Sequence, residues 1–437
     1  MTAVARVRAL PMWQAFSVTN FRLLWASETV SVLGDQFHYV ALSWLVIRLT
    51  GSGLALGTVL IAVGVPRAIL IVPFGVLADR LPARTIMVAA HVARGVIVGA
   101  IAALAITGTA SIPALAILGA LFGAADAAYL PAQQAFLPRT VAADRLPSAN
   151  ALLQGTLQVA SIAGPPVAGL VIVLAGTGAA FTVDAVSFFV AAIVILLMAR
   201  PDVPGAVSTS AGQAADQPQA ASFGEELRAG IRYVAADPAI RTLMLIALVL
   251  NFALNGPAAV GMAWLADRRF DAGPSGLGLM AAGWAAGALV GTLVAGNARL
   301  DHQGRALLGA VVAAGAMMVA VGVLVGLAGV VAALAVMGVA IGYVNIVAIS
   351  WIQARVDPAM VGRVMSLVML MSFGITPLSL ALAGVLIDLD ATALFVGAGV
   401  LTMLTALFAG LVGLPAMLDG ATPAGAVDGQ PGPAATQ

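Results

Sequence analysis

Gly75-Val76-Leu77-Ala78-Asp79-Arg80-Leu81-Pro82-Ala83-Arg84 is a charged, proline-containing turn set between two long apolar runs. The chain around it is 61% hydrophobic and only 9% charged, so charge packed into one short loop needs a reason. A mean hydropathy of +1.05 excludes an ordinary soluble domain, in which about a quarter of residues are charged. Apolar runs of about 20 residues recur along the chain, the length that crosses ~30 Å of hydrocarbon. The aromatic share is 6% and alternating patterns are absent, which argues against a membrane β-barrel. The turn is therefore a loop between two membrane helices.

Breaking the chain at polar and Gly/Pro punctuation gives twelve spans. They are placed at 20–47, 54–78, 85–107, 112–138, 148–175 and 178–199, then at 239–265, 275–296, 305–327, 330–354, 362–387 and 391–414. The expected organisation is a cytoplasmic segment 1–19, a six-helix bundle 20–200, a linker 201–238, a second bundle 239–415 and a disordered tail 416–437. Within the linker, 201–221 is rich in Pro, Ala, Ser and Gln and reads as disordered. Phe223, Leu227, Ile231 and Val234 then recur at helical spacing while Glu225, Glu226, Arg228 and Arg232 lie elsewhere. That pattern predicts an amphipathic helix on the membrane surface. No cleaved signal peptide is expected at the amino end.

The arginines orient the chain. All 20 basic residues are Arg. Both ends and the even-numbered loops hold fifteen of them; the opposite loops hold only Arg48, Arg268 and Arg269. That bias puts both termini in the cytoplasm and the protein in the cytoplasmic membrane. An internal repeat agrees: a shift of 215 residues brings Phe136 onto Trp351 and Gly169 onto Gly384. A shift of 221 brings Gly75 onto Gly296 and Arg84 onto Arg305.

Intramembrane charge marks the candidate site, because such residues are costly in hydrocarbon and face a cavity or a partner. Glu28, Asp35, Arg67, Arg94, Asp126 and Asp184 fall within the first six spans, with His38 and His91 nearby. Asp35 and Asp126 are the expected proton or cation sites, with Arg94 and Arg67 as partners; Asp184 is expected to be structural and Glu28 is balanced between the two roles. Glu28 and Asp35 share one face of the first span, continued by His38 and Tyr39. The second half offers polar Asn251, Asn255 and Asn345 instead. Gly164-Pro165-Pro166-Val167-Ala168-Gly169 in span 5 combines a lost helix hydrogen bond with room for close packing, the makings of a hinge.

Several classes are excluded or disfavoured. There are no cysteines, so disulfides and thiolate chemistry are absent. Without Lys there is no phosphate-binding G-x-x-x-x-G-K-[ST] loop, so this chain does not hydrolyse ATP. His38, His91 and His302 form no metal-binding motif, and no enzyme constellation is legible. The net charge of +1 offers no case for a nucleic-acid partner.

The opening turn, G-x-L-A-D-R-x-x-x-R, resembles the loop between helices 2 and 3 of the major facilitator superfamily of membrane transporters. Span 5 is similar to the G-P-x-x-G-G signature of its antiporters, with Ala168 replacing a glycine. Asn20-Phe-Arg-Leu-Leu-Trp25, Gly34-Asp35, Gly123-Ala-Ala-Asp126 and Gly362-Arg363-Val364-Met365-Ser366 resemble its drug- and siderophore-exporter branch, which includes the enterobactin exporter and macrolide efflux proteins. The resemblance covers nearly all of 15–415. It implies an all-α fold of two pseudo-symmetric six-helix bundles and proton-linked efflux of amphiphilic molecules, with no bound cofactor and the chain working as a monomer among membrane lipids. It implies that Gly75, Asp79, Arg80 and Arg84 form a conformational latch, partnered near Arg363. A lysophospholipid flippase, a transport-dead sensor and an importer stay open as alternatives.

Overall fold

In the computed structural model, residues 15–198, 223–297 and 302–419 are described. The amino-terminal segment to residue 14, the 201–221 linker and the tail from 420 lie outside them. The described residues are helical, with no strand among them. The first six passes come from α1 (Thr19–Thr50), α2 (Gly53–Arg80), α3 (Ala83–Thr107), α4 (Ile112–Phe136) and the 51-residue α5 (Leu146–Leu196). Gly51 ends α1 in the left-handed region (φ 62), where a side chain would be strained. The Ser52 hydroxyl then starts α2 by accepting the Ala55 N–H. Gly176, at φ 83 and ψ 169, breaks α5 into two antiparallel arms, so one apolar stretch makes two passes.

After α6 (Phe223–Ala236), the second set is α7 (Pro238–Gly256), α8 (Gly273–Asn297), α9 (Gln303–Val323), α10 (Leu327–Arg355), α11 (Pro358–Leu389) and α12 (Ala391–Leu411), closed by the short α13 (Leu414–Asp419). α7 runs on through π-helical turns at Pro257–Gly261 and Leu265–Arg269. Among the described residues, ten helical segments are long and apolar enough to cross a membrane. One of them contains both arms of α5, and the 32-residue α11 adds another, which makes twelve passes. The described chain starts and ends on one face, here the terminal face.

Packing within each bundle is close because small residues line the contacts. Gly283, Gly287 and Gly291 of α8 recur every four residues against the α10 backbone at Val331, Ala335 and Val339. A β-carbon on Gly287 would collide with the Ala335 carbonyl, which cannot move aside. Gly287→Val is therefore expected to cost roughly 1–3 kcal/mol of stability. A lowered unfolding temperature in detergent would register it; an unchanged one would refute the contact. Outside, Ile69, Val72, Ile106, Leu174 and Leu411 are exposed, an apolar surface that water would not tolerate and lipid does.

α6 docks against the protein as well as being amphipathic. Gly230 packs on Leu367 and Arg363 of α11, and Val234 is buried. Ile231 is 51% exposed, so the apolar stripe divides between protein and surroundings. Phe223 and Leu227 have no described side chains. Where α6 meets α7, Asp237 caps α7 by accepting the N–H groups of Ala239 (2.9 Å) and Ile240 (3.2 Å). Its other oxygen accepts from Arg355 Nε at 2.7 Å. Partial burial raises the Asp237 pKa, but the Arg355 hydrogen bond and the two backbone N–H groups outweigh it and hold the carboxyl below its ordinary 3.8. A depressed carboxylate stabilises the fold above its ordinary pKa and loses that contribution as pH falls through the lower folded value. Asp237→Ala is expected to cost about 1 kcal/mol near neutral pH and to flatten the acid limb of unfolding temperature against pH. An acid limb identical to the parent's would contradict this.

Candidate functional site

The first bundle buries a network of charge near the middle of its helices. Arg94 of α3 is 2% exposed. Its Nη1 donates to Asp126 Oδ1 of α4 at 2.8 Å, and its Nη2 lies 2.9 Å from His91 Nδ1. The guanidinium carbon stands 4.6 Å from the Tyr129 ring centre and 4.4 Å from that of Phe188, so aromatic faces take the remaining charge. The second oxygen of Asp126 meets Arg67 Nε of α2 at 3.0 Å. The Arg67 side chain is 46% exposed, against 15% for Asp126 and 2% for Arg94. One carboxylate thus joins an accessible cation to a sealed one.

Glu28 of α1 accepts a hydrogen bond from the Tyr129 hydroxyl, which ties α1 to α4 beside the Arg94 guanidinium. Asp35, one heptad further along α1, is half-buried and forms no ion pair among the described residues. Arg94, Asp184, Asp126 and Glu28 are the charges that act on it. His38 is buried, stacked on Phe122 with ring centres 4.5 Å apart. Tyr39 is half-buried. In the second bundle, Asn255 Nδ2 donates to Asn251 Oδ1 and to Thr376 Oγ1, both at 3.2 Å, while Asn345 on α10 is exposed.

The bundles touch toward the opposite face and separate toward the terminal face. Near the opposite face, a β-carbon on Gly57 of α2 would meet the Leu380 carbonyl of α11, and one on Gly384 would meet the Gly53 carbonyl. The seam between α5 and α8 repeats this: Gly169 lies against the Pro274 carbonyl and Gly278 against the Pro165 carbonyl. The Gly164–Gly169 stretch is therefore a contact between bundles, with Gly164 itself packed on Gln36 of α1. Toward the terminal face, Gly75, Gly155, Gly296, Gly362 and Gly374 on the same four helices have nothing among the described residues within 4 Å of where a β-carbon would sit. Asp388 fastens the closed end. Its carboxylate accepts from Ser52 Oγ (2.7 Å) and from the N–H groups of Gly53 (2.7 Å) and Leu54 (3.1 Å), capping α2 from the other bundle.

Among the described residues, the 75–84 turn is seen bonded within its own bundle rather than to α11. Arg84 donates to the Ile195 and Leu196 carbonyls at 3.1 and 2.5 Å, capping the second arm of α5 within its own bundle. Arg80 is exposed and Gly75 is open; the side chain of Asp79 is outside those described. Arg363 lies beside Met360 and under Gly230 of α6. The sequence brought Arg94, Arg67 and Asp126 into consideration together; Tyr129, which links Glu28 to that group, carries no sequence signal beyond being a tyrosine one helical turn after Asp126.

The residue pattern that defines the Major Facilitator Superfamily matches residues 24–376. Among curated proteins, the chain is 27% identical over 391 residues to Uncharacterized MFS-type transporter y4rN of Sinorhizobium fredii, covering 89% of this chain and 93% of that one. It is 25% identical over 377 residues to Multidrug efflux pump Tap of Mycolicibacterium fortuitum, covering 84% and 88% respectively. Among solved structures, a bacterial homologue of the iron transporter ferroportin in the inward-facing state superposes with a TM-score of 0.70 at 15% identity, over 92% of this chain and 99% of the other. A bacterial homologue of the lysosomal transporter Spinster, inward-facing and occupied, gives 0.67 at 14% over 92% and 98%.

Proposed function

The chain belongs to the Major Facilitator Superfamily, and from that premise we propose a proton-coupled exporter of amphiphilic small molecules, multidrug or siderophore-like, working by alternating access. The observation that carries the reading is Asp126, held at once by an accessible Arg67 and a sealed Arg94. Within the spans of the first bundle, four carboxyl groups (Glu28, Asp35, Asp126 and Asp184) share the interior with the guanidiniums of Arg67 and Arg94, so neutrality calls for protons on some of them. A carboxylate that gains or loses a guanidinium partner as helices shift changes its hold on a proton, which couples proton movement to rocking. The efflux activity named for the Tap relative supports export.

The arginine bias supports a cytoplasmic terminal face in the cytoplasmic membrane, which makes the present arrangement open to the inside. The turn at 75–84 then belongs to the other end of the cycle: it would engage α11 only when the inside closes. Protons from the gradient, one amphiphilic substrate and membrane lipids are the working partners of a monomer; no bound cofactor or nucleic acid is required. Asn251, Asn255 and Asn345 offer uncharged polar contacts for cargo on the second bundle's side.

Everted membrane vesicles test the proposal. Uptake of a lipophilic cationic dye is expected to follow an imposed pH gradient, to collapse with a protonophore, and to be lost in Asp35→Asn. Uptake indifferent to the protonophore would remove proton coupling, and transport of labelled lysolipid in place of dye would favour a flippase.

A further inference from the structure

We propose that His38 and Asp184 form a second proton-binding site in the first bundle, holding one proton between Nδ1 and Oδ2 and exchanging it during transport. This rests on the transporter reading above, but not on Asp126. His38 Nδ1 stands 3.2 Å from Asp184 Oδ2, off the line a ring N–H would need for a hydrogen bond. Neither of those atoms, nor His38 Nε2, has a hydrogen-bond partner among the described residues. Asp184 is 0% exposed. Phe122 covers one face of the imidazole, and Phe181 meets it edge-on at 5.6 Å.

Buried polar groups are ordinarily paired, since an orphan is costly. Here two orphans face one another in an apolar enclosure, and a small rotation with one proton satisfies both. A proton shared by the pair also neutralises a carboxylate that forms no ion pair with an arginine among the described residues. An imidazole has two ring nitrogens, so it can take a proton at one and release it from the other. The other charged and titratable groups on the helices packed around the pair are Glu28 and Asp35 on α1, His91 and Arg94 on α3, and Asp126 on α4; Glu28, Arg94, Asp126 and Asp184 itself all act on Asp35. Asp35 lies three residues before His38 on the same helix face and is half-buried, which offers the step between the pair and the Asp126 network.

The pair is also placed to sense movement. A β-carbon on Gly34 of α1 would collide with Ser187 Oγ and come within 2.7 Å of Asp184 Oδ1. The α1 backbone thus lies directly on Asp184, and the separation between His38 and Asp184 is set by how α1 sits against the second arm of α5. A slide of α1 makes or breaks the shared proton.

Two measurements on the full chain test this. In proteoliposomes, His38→Gln and Asp184→Asn are each expected to shift the pH midpoint of dye transport by about one pH unit or more, and the double variant to add little to either single change. Dye exchange without a gradient is expected to persist. Asp126→Asn is measured in parallel. If it loses gradient-driven transport while both dyad variants keep the parental pH profile, the dyad falls and the proton-coupled reading stands. If the parent protein shows no gradient-driven transport, that reading falls, and nitrogen NMR of the ring decides the dyad. The chain has three histidines, so His38 is assigned by its loss in His38→Gln. Its titration is expected to move in Asp184→Asn; an unmoved titration would overturn the site.

Discussion

Asp126→Asn is expected to abolish gradient-driven transport and to destabilise the protein at the same time. The amide cannot carry the charge that Arg94 meets at 2.8 Å, and Arg94 is almost sealed from water. Removing one partner of a buried pair leaves an uncompensated charge, which costs about 3–5 kcal/mol. His91 and the rings of Tyr129 and Phe188 stay beside the guanidinium and relieve only part of it. The loss at Arg67 is small because that side chain reaches water. The two consequences separate in Asp126→Asn/Arg94→Gln, where both charges leave together. Unfolding temperature is expected to recover much of the loss in the double variant, while proton-driven dye transport does not return. Recovery of transport along with stability would show that Asp126 only holds helices together.

Asp388→Ala is expected to open the closed end. The carboxylate is the partner of one hydroxyl and two backbone N–H groups across the bundle boundary, and the exposed site lets water replace them at moderate cost. Hydrogen bonds to a charged group are worth about 1.5–3 kcal/mol, so the equilibrium between the two arrangements should move roughly tenfold or more. The chain has no cysteine, so spin labels can be introduced at Gly75→Cys and Gly362→Cys without a background to remove. Pulsed electron resonance should show the distance across the terminal face shortening in Asp388→Ala relative to the labelled parent. An unchanged distribution would mean that the glycine contacts alone hold that end.

Hydropathy made the passes legible because lipid imposes length and apolarity on every crossing. The helix expected at 112–138 is observed as Ile112–Phe136, and the one expected at 85–107 as Ala83–Thr107. The continuation of α7 through π-helical turns was not legible, since composition there differs little from an α-helix. The mid-helix charges stood out for their cost in hydrocarbon, but sequence does not say who pairs with whom. Arg94 and Asp126 are 32 residues apart and Glu28 and Tyr129 are 101 apart, contacts made by the way helices pack. Asp184 read as a structural residue; it is buried, and among the described residues its ion-pair partner is His38. Arg84 could suit an acid or a helix end, and only the fold selects the carbonyls of α5. The Gly/Pro run of span 5 read as a hinge, while the helix its glycines approach became apparent only in three dimensions.

At the glycines Gly57, Gly384, Gly169 and Gly278 of the two seams, peptide backbone of one bundle bears on peptide backbone of the other. A joint made this way has no rotamers to exchange as it turns, so friction at the pivot is low and nearly independent of residue identity elsewhere. In the proposed cycle, the pace would then belong to the fastener at Asp388 and to the charges around Arg94, leaving residues away from the seams free to diverge without retuning the movement.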